Sequence, residues 1–321
     1  MLCRGVWGTE SPHESPRAAL NRLLHNSCNG NYKELIDKSY QTLFVPVSRG
    51  GKIELTECGK WSKRGRCVNG HQFAKVLYCG REWCPRCGEM GSAVHLQRFA
   101  RWLPKAQQIR VMGYWDITLP LVARAQFRDK QSLRKARRAV VRWLKRHGFG
   151  RGLARWHWFG NPPADGTAPK WHPHLNLLVD AGWVSKEKLA ACKRGFARAM
   201  KLPEVQAHYA YDDIVSKKIH WLKYVSRATF RSAEWDKELL SVLERFNTTM
   251  SWGCWKDAPA WGMPEKRDQD EMDARRSLAA RICPTCGEEI VYDKDATPTA
   301  YLVVLGFTEF LPGWLGFDKG S

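Results

Sequence analysis

Two hydrophobic periodicities alternate along the middle of the chain. Segments 111–119 (VMGYWDITL), 153–159 (LARWHWF) and 205–211 place apolar residues at every second position, the repeat of a strand with one face buried. Segments 132–147, 185–200 and 216–230 repeat at helical spacing. In 132–147 the apolar stripe is Leu133, Ala136, Val140, Trp143, Leu144 and His147, the other face is Arg and Lys, and Gly148 ends the helix. Ser185 has the chemistry of an N-cap for the next helix. Segment 89–103 reads as a helix, 160–170 as a Pro/Gly-rich loop, and 265–281 as a charged helical linker. Strands and helices alternate irregularly, with short connections. That order predicts an α+β fold, with helices packed on an antiparallel sheet. The expected organisation is an irregular leader (1–50), a cysteine-rich module (51–104), a core (105–255), and a linker, knuckle and acidic tail (256–321).

One segment carries more polarity than a buried strand needs. In His172-Pro173-His174-Leu175-Asn176-Leu177-Leu178-Val179, ligand-capable side chains alternate with apolar ones and run into an apolar tail. On a strand, His172, His174 and Asn176 share one face. Two imidazoles and an amide oxygen suit a divalent cation of the Mg²⁺ or Mn²⁺ type better than a thiolate-type zinc. A half-buried strand with incidental histidines is the competing reading. His157, on the strand before the Pro/Gly loop, can face His174 if that loop closes a hairpin.

Charge changes the picture. The 321 residues carry a net charge of +20. Between Arg98 and Arg155 there are 16 Lys/Arg against Asp116 and Asp129. Like charges at that density repel unless a polyanion neutralises them, which favours a nucleic acid or an anionic membrane surface as partner. Arg134, Lys135, Arg138, Arg142 and Lys145 form the outward face of helix 132–147 and are the expected phosphate contacts. Some of the 16 tryptophans could stack unpaired bases, although most aromatic residues belong to cores. Residues 1–16 are polar and broken by proline, and the apolar run 301–307 is too short to span a bilayer. A cytoplasmic protein with no membrane association is expected.

Eleven cysteines in such a chain point to metal rather than disulfides. Cys84-Pro85-Arg86-Cys87-Gly88 is a knuckle whose spacing lets two thiolates reach one ion. The favoured structural zinc set is Cys67, Cys79, Cys84 and Cys87, with His71 and Cys58 as substitutes. Cys283-Pro284-Thr285-Cys286-Gly287 is a second knuckle without an evident full set, Cys254 being one possible partner.

Tyr224 lies in segment 216–230. Arg227, three residues on, would share its helical face. A neighbouring cation eases phenolate formation and can pair with a phosphate, which a phenol needs to act as a nucleophile. The same tyrosine would also suit an amphipathic core position.

Three motifs in order resemble those of the HUH endonucleases, the rolling-circle replication initiators of plasmids and phages, and of the related single-strand transposases. Asp116-Ile117-Thr118-Leu119-Pro120 resembles the first motif, a strand ending in a Thr-Leu-Thr-like turn. Residues 172–179 resemble the metal motif, and Tyr224 to Arg227 the tyrosine motif. The stretch ending Trp83-Cys84-Pro85-Arg86-Cys87 is similar to the zinc region of several such proteins. The resemblance covers roughly residues 58–230. It implies an enzyme with one catalytic tyrosine that nicks and rejoins single-stranded or hairpin DNA through a 5′-phosphotyrosine. Tyr224 and Arg227 would be catalytic, and His174, Asn176 and His157 would hold Mg²⁺ or Mn²⁺, with His172 in reserve. The free 3′-hydroxyl would engage host replication proteins. Asn176 stands where the second motif histidine is usual, and Arg227 replaces a lysine. A transposase of the same chemistry, or a zinc-dependent DNA-binding protein whose nuclease site has decayed, are the alternatives.

Overall fold

The computed structural model describes residues 57–159, 171–229, 237–243 and 246–317. The leader 1–50 and the Pro/Gly loop 160–170 lie outside them. The chain divides into two compact units.

The first unit combines residues 57–77 with 290–317. Strands β1 (Trp61–Arg66) and β2 (Gln72–Val76) form an antiparallel hairpin. Late residues complete the sheet. Elements β8 (Val291–Tyr292), β9 (Thr297–Pro298), β10 (Phe307–Leu311) and β11 (Trp314–Phe317) give the order β10-β11-β2-β1-β8, with β9 also on β1. The acidic end of the chain is therefore built into a sheet. Its indole and phenyl rings, Trp314 and Phe307, are buried there.

The second unit, residues 78–289, contains a five-stranded antiparallel sheet of order β6-β3-β5-β4-β7. The strands are β3 (Met112–Thr118), β4 (Gly152–His157), β5 (His174–Asp180), β6 (Gln206–Asp212) and β7 (Thr249–Trp252). Its longer helices are α1 (Ala93–Ala106), α2 (Lys130–Arg146), α3 (Lys186–Met200), α4 (Val215–Ser226), α5 (Lys237–Leu243) and α6 (Lys266–Ala279). The α+β class and the antiparallel sheet match the sequence expectation.

Period-two alternation separates the two faces. Trp115, Ile117, Ala154, Trp156, Leu175, Leu177 and Val179 point one way and are buried beneath α2 and α3, whose Leu133, Val140, Trp143, Cys192 and Phe196 join the same core. Met112, Leu153 and Leu178 point the other way, beneath α1 and α4 with Phe99, Leu103, Ile219, Leu222 and Val225. Burying a Leu or Phe side chain contributes on the order of 1.5–3 kcal/mol, so both helix layers are held chiefly by these contacts.

Caps set the helix ends. Asp129 accepts from the backbone N–H groups of Gln131 and Ser132 and starts α2 two residues before the predicted boundary. Ser185 caps α3 through the Lys188 N–H, as its sequence suggests. His147 departs from its expected place in the α2 stripe. It is exposed and stacks on Trp143, and Arg137 takes a buried place, donating to the Asn247 carbonyl oxygen.

Candidate functional site

The second sheet face also carries polar residues, of which Thr118, Arg155, His157, His174 and Asn176 are buried. Strand register arranges them in two adjacent rows. One row runs Gln206, Thr118, His174, His157, and the other His208, Asp116, Asn176, Arg155. His157 faces His174 across the β4–β5 pair, ring centroids 5.4 Å apart. His172 precedes β5, half-buried, with its ring 5.7 Å from that of His174.

Each central imidazole uses one nitrogen to hold backbone and leaves the other. His174 Nδ1 donates to the His172 carbonyl oxygen at 2.9 Å. His157 Nε2 donates to the Val225 carbonyl oxygen at 3.1 Å, and His157 Nδ1 is buried without a hydrogen-bond partner. This tautomer presents a lone pair from each ring, as a metal ligand or proton acceptor requires. Both rings are held neutral. Burial is the main cause for His157, reinforced by His174, Arg155 and Arg227. Burial also lowers His174, with Asp116 pulling the other way. His172 is pushed down to about 4 by burial, Arg124 and His174.

Asn176 is fully buried, and its Oδ1 accepts from the Tyr114 hydroxyl at 2.5 Å. The one amide atom suited to a cation thus already has a partner. Asp116, its cross-strand neighbour, has a buried Oδ1 with no hydrogen-bond partner. His157 and Asp116 thus each keep a buried polar atom without a hydrogen-bond partner beside His174. Among the described residues these three do not gather as three ligand atoms within 4.8 Å of one another.

Tyr224 comes from α4. Its ring lies 5.5 Å from the His157 ring and 6.3 Å from that of Tyr114. Arg227 is not on the helix as predicted. Helix α4 ends at Ser226, and Arg227 is extended (φ −60°, ψ 166°). Its guanidinium lies over the Tyr224 ring, 3.9 Å from the centroid, and its carbonyl oxygen accepts from Arg155 Nε at 3.2 Å.

Asp116, Tyr114, Arg124 and His208 belong to this face but were not assigned to it from the sequence. Asp116 and Tyr114 share strand parity with His174, a signal present in the sequence once β3 and β5 are taken as neighbours. Arg124 is placed by a short helical turn, where it donates to the carbonyl oxygens of Leu119 and Trp171. The predicted phosphate contacts Arg134, Lys135, Arg138, Arg142 and Lys145 are all exposed on α2. Arg142 and Lys145, with Arg146, line an open cavity of about 480 Å³. Helix α2 packs on the opposite sheet face from His174 and Tyr224, so these cations are separated from them by the sheet.

Among the described residues, seven cysteines and His71 fall into two groups, each with ligand atoms within 4.8 Å of one another and each able to hold a metal ion such as zinc. One is Cys58, Cys79, Cys84 and Cys87. The other is Cys67, His71, Cys283 and Cys286. The expected set is corrected in one member. Cys58 takes the place given to Cys67, which pairs with His71 at 3.4 Å. The second knuckle finds its partners in Cys67 and His71, while Cys254 is exposed and outside both groups. Four-cysteine and three-cysteine-one-histidine sets are those of closed tetrahedral structural zinc. Comparison with protein-family models, with curated proteins and with solved structures finds no match.

Proposed function

We propose that this protein nicks and rejoins single-stranded DNA, with Tyr224 as the nucleophile. The observation that carries this reading is the meeting of Tyr224, Arg227 and two neutral imidazoles with free lone pairs on one sheet face. The Tyr224 oxygen attacks the scissile phosphorus, the bond from phosphorus to the 3′-oxygen breaks, and a 5′-phosphotyrosine forms. The phenol proton passes to the Asp116 carboxylate, which keeps lone pairs beyond the one a cation would use, and the departing 3′-oxygen takes up a proton from solvent to become a hydroxyl. Arg227 and Arg124 neutralise charge that builds on the phosphate. His174, His157 and Asp116 would hold a divalent cation of the Mg²⁺ or Mn²⁺ type, which supplies polarisation of a non-bridging oxygen when bound. Asp116 replaces Asn176 in that set, because the Asn176 oxygen accepts from Tyr114. The exposed cations of α2 fit a second stretch of DNA backbone rather than the scissile phosphate.

The Asn176–Tyr114 bond also favours a second reading, a DNA-binding protein without nuclease chemistry. Incubation with labelled single-stranded oligonucleotides and Mn²⁺ separates the two. A covalent adduct that survives denaturation and vanishes in Tyr224→Phe supports the nuclease. Salt-sensitive binding with no adduct on any strand supports the second reading.

A further inference from the structure

The last turn of an α-helix leaves carbonyl oxygens without partners. On α4, the helix that carries Tyr224, side chains satisfy them one after another. The Lys223 carbonyl oxygen accepts from His95 Nε2 at 3.1 Å, Val225 from His157 Nε2 at 3.1 Å, and Ser226 from Arg98 Nη1 at 2.6 Å. The Arg227 carbonyl oxygen accepts from Arg155 Nε at 3.2 Å. Two of these donors are buried guanidiniums, a costly pair unless a counter-charge joins them.

Glu82 is that counter-charge. Its Oε1 accepts from Arg98 Nη2 at 3.2 Å and from Arg155 Nη2. Its Oε2 accepts from the Thr229 N–H at 2.7 Å and from the Thr229 hydroxyl, just beyond α4. Burial acts to raise the Glu82 carboxyl, but Arg155, Arg98 and Thr229 together hold it at about 2. Glu82 is carried by the cysteine turn, between Cys79 and Cys84. That turn is tight: Cys84 O accepts from the N–H groups of Cys87 and Gly88, and a Cβ on Gly88 would lie 2.3 Å from the Glu82 carbonyl oxygen. The carboxylate is thus fixed by the same backbone that presents the thiols.

We infer that Glu82 is a positioning residue: through Arg98, Arg155 and Thr229 it sets the end of the tyrosine helix, and so couples the cysteine turn to the placement of Tyr224 and Arg227. Its catalytic consequence rests on the reading of Tyr224 as nucleophile, whereas its structural consequence does not. The carboxylate touches neither Tyr224 nor DNA in this scheme. It acts by orienting the two groups that do.

The test uses the full zinc-loaded chain with 3-fluorotyrosine at position 224, read by fluorine NMR beside adduct formation. Glu82→Gln keeps the side chain's size and removes its charge. In this variant the fluorine resonance is expected to move toward that of the unfolded chain. Adduct formation should slow by about tenfold or more, the scale on which small misplacements act, while bound zinc is retained. Glu89→Gln, an exposed carboxylate of the same region, should change neither readout. A zinc chelator should move the wild-type resonance in the same direction and add little in Glu82→Gln. If Glu82→Gln does not fold, Thr229→Val, which removes only the hydroxyl contact, replaces it. An unshifted resonance in a folded variant overturns the positioning role, and loss of zinc with no shift overturns the coupling. A wild-type chain that forms no adduct removes the nuclease reading, and the fluorine shift still decides the role of Glu82.

Discussion

Replacing Arg155 with methionine tests whether the polar cluster below Tyr224 acts as one unit. Arg155 is 1% exposed, and its three nitrogens donate to the Arg227 carbonyl oxygen, to Thr248 Oγ1 at 2.7 Å and to Glu82. Methionine fills similar volume but donates to none of them. The carboxylate keeps Arg98 and Thr229 and loses its closest cation. Breaking a buried ion pair from one side costs about 3–5 kcal/mol, and that is the expected loss in unfolding free energy. Removing both charges leaves less unmet polarity. In Arg155→Met/Glu82→Gln the loss should therefore fall short of the sum of the single variants by about 1–3 kcal/mol. Urea unfolding of the zinc-loaded protein at pH 7, with tryptophan fluorescence as the probe, measures all four states. The pH dependence has a definite sign. The Glu82 carboxyl is depressed from 4.5 to about 2 in the folded chain. Its stabilisation is therefore complete above pH 4.5 and is lost as pH falls toward 2, and the gap between wild type and Arg155→Met narrows over that window. Additive single and double variants, or a loss below about 1 kcal/mol for Arg155→Met, would refute the reasoning, because the surface value of a salt bridge would then suffice.

Three further outcomes follow from other parts of the molecule. Gly195→Ala should destabilise by about 1–3 kcal/mol in urea unfolding despite a better helix propensity, because the added Cβ would lie 2.1 Å from the Trp143 ring between α2 and α3. A smaller residue at Trp143 should reverse its sign. His174→Ala and Asp116→Asn should each lower Mn²⁺-dependent adduct yield by about 10–100-fold, the scale of a lost ligand interaction, while Asn176→Ala should lower it less. Equal losses at Asn176 and Asp116 would return the amide to the ligand set. Cys84→Ser and Cys283→Ser should each remove one equivalent of zinc by elemental analysis, and Cys254→Ser none. A loss in the last variant would contradict the cysteine grouping.

Periodicity identified four of the five strands of the second sheet, the His-bearing one among them, and the basic helix, but not β7. Those signals depend on local geometry, since period two and period 3.6 are properties of the backbone. The pairing of His157 with His174 was also within reach, because both strands border one loop. Three things were not legible. Cys58 and Cys67 both precede the knuckle, and only their placement in space assigns them to different groups. Arg227 read as helical because nothing in its immediate sequence shows Arg155 holding its carbonyl oxygen from another strand. Glu82 read as an ordinary charge between cysteines, whereas its partners lie 16, 73 and 147 positions away.

What the sequence determined by itself was the elements, the alternation that sends His174 and Asn176 to one face, and the thiol chemistry of the cysteines. What the tertiary structure decided was which buried polar atoms already have partners. Tyr114 takes the Asn176 oxygen, while Asp116 and His157 keep free atoms. The physical reason is that hydrogen-bond satisfaction is a property of atoms brought together by the fold. A side chain's type states what it can bind, and only its neighbours decide what it has left to bind with.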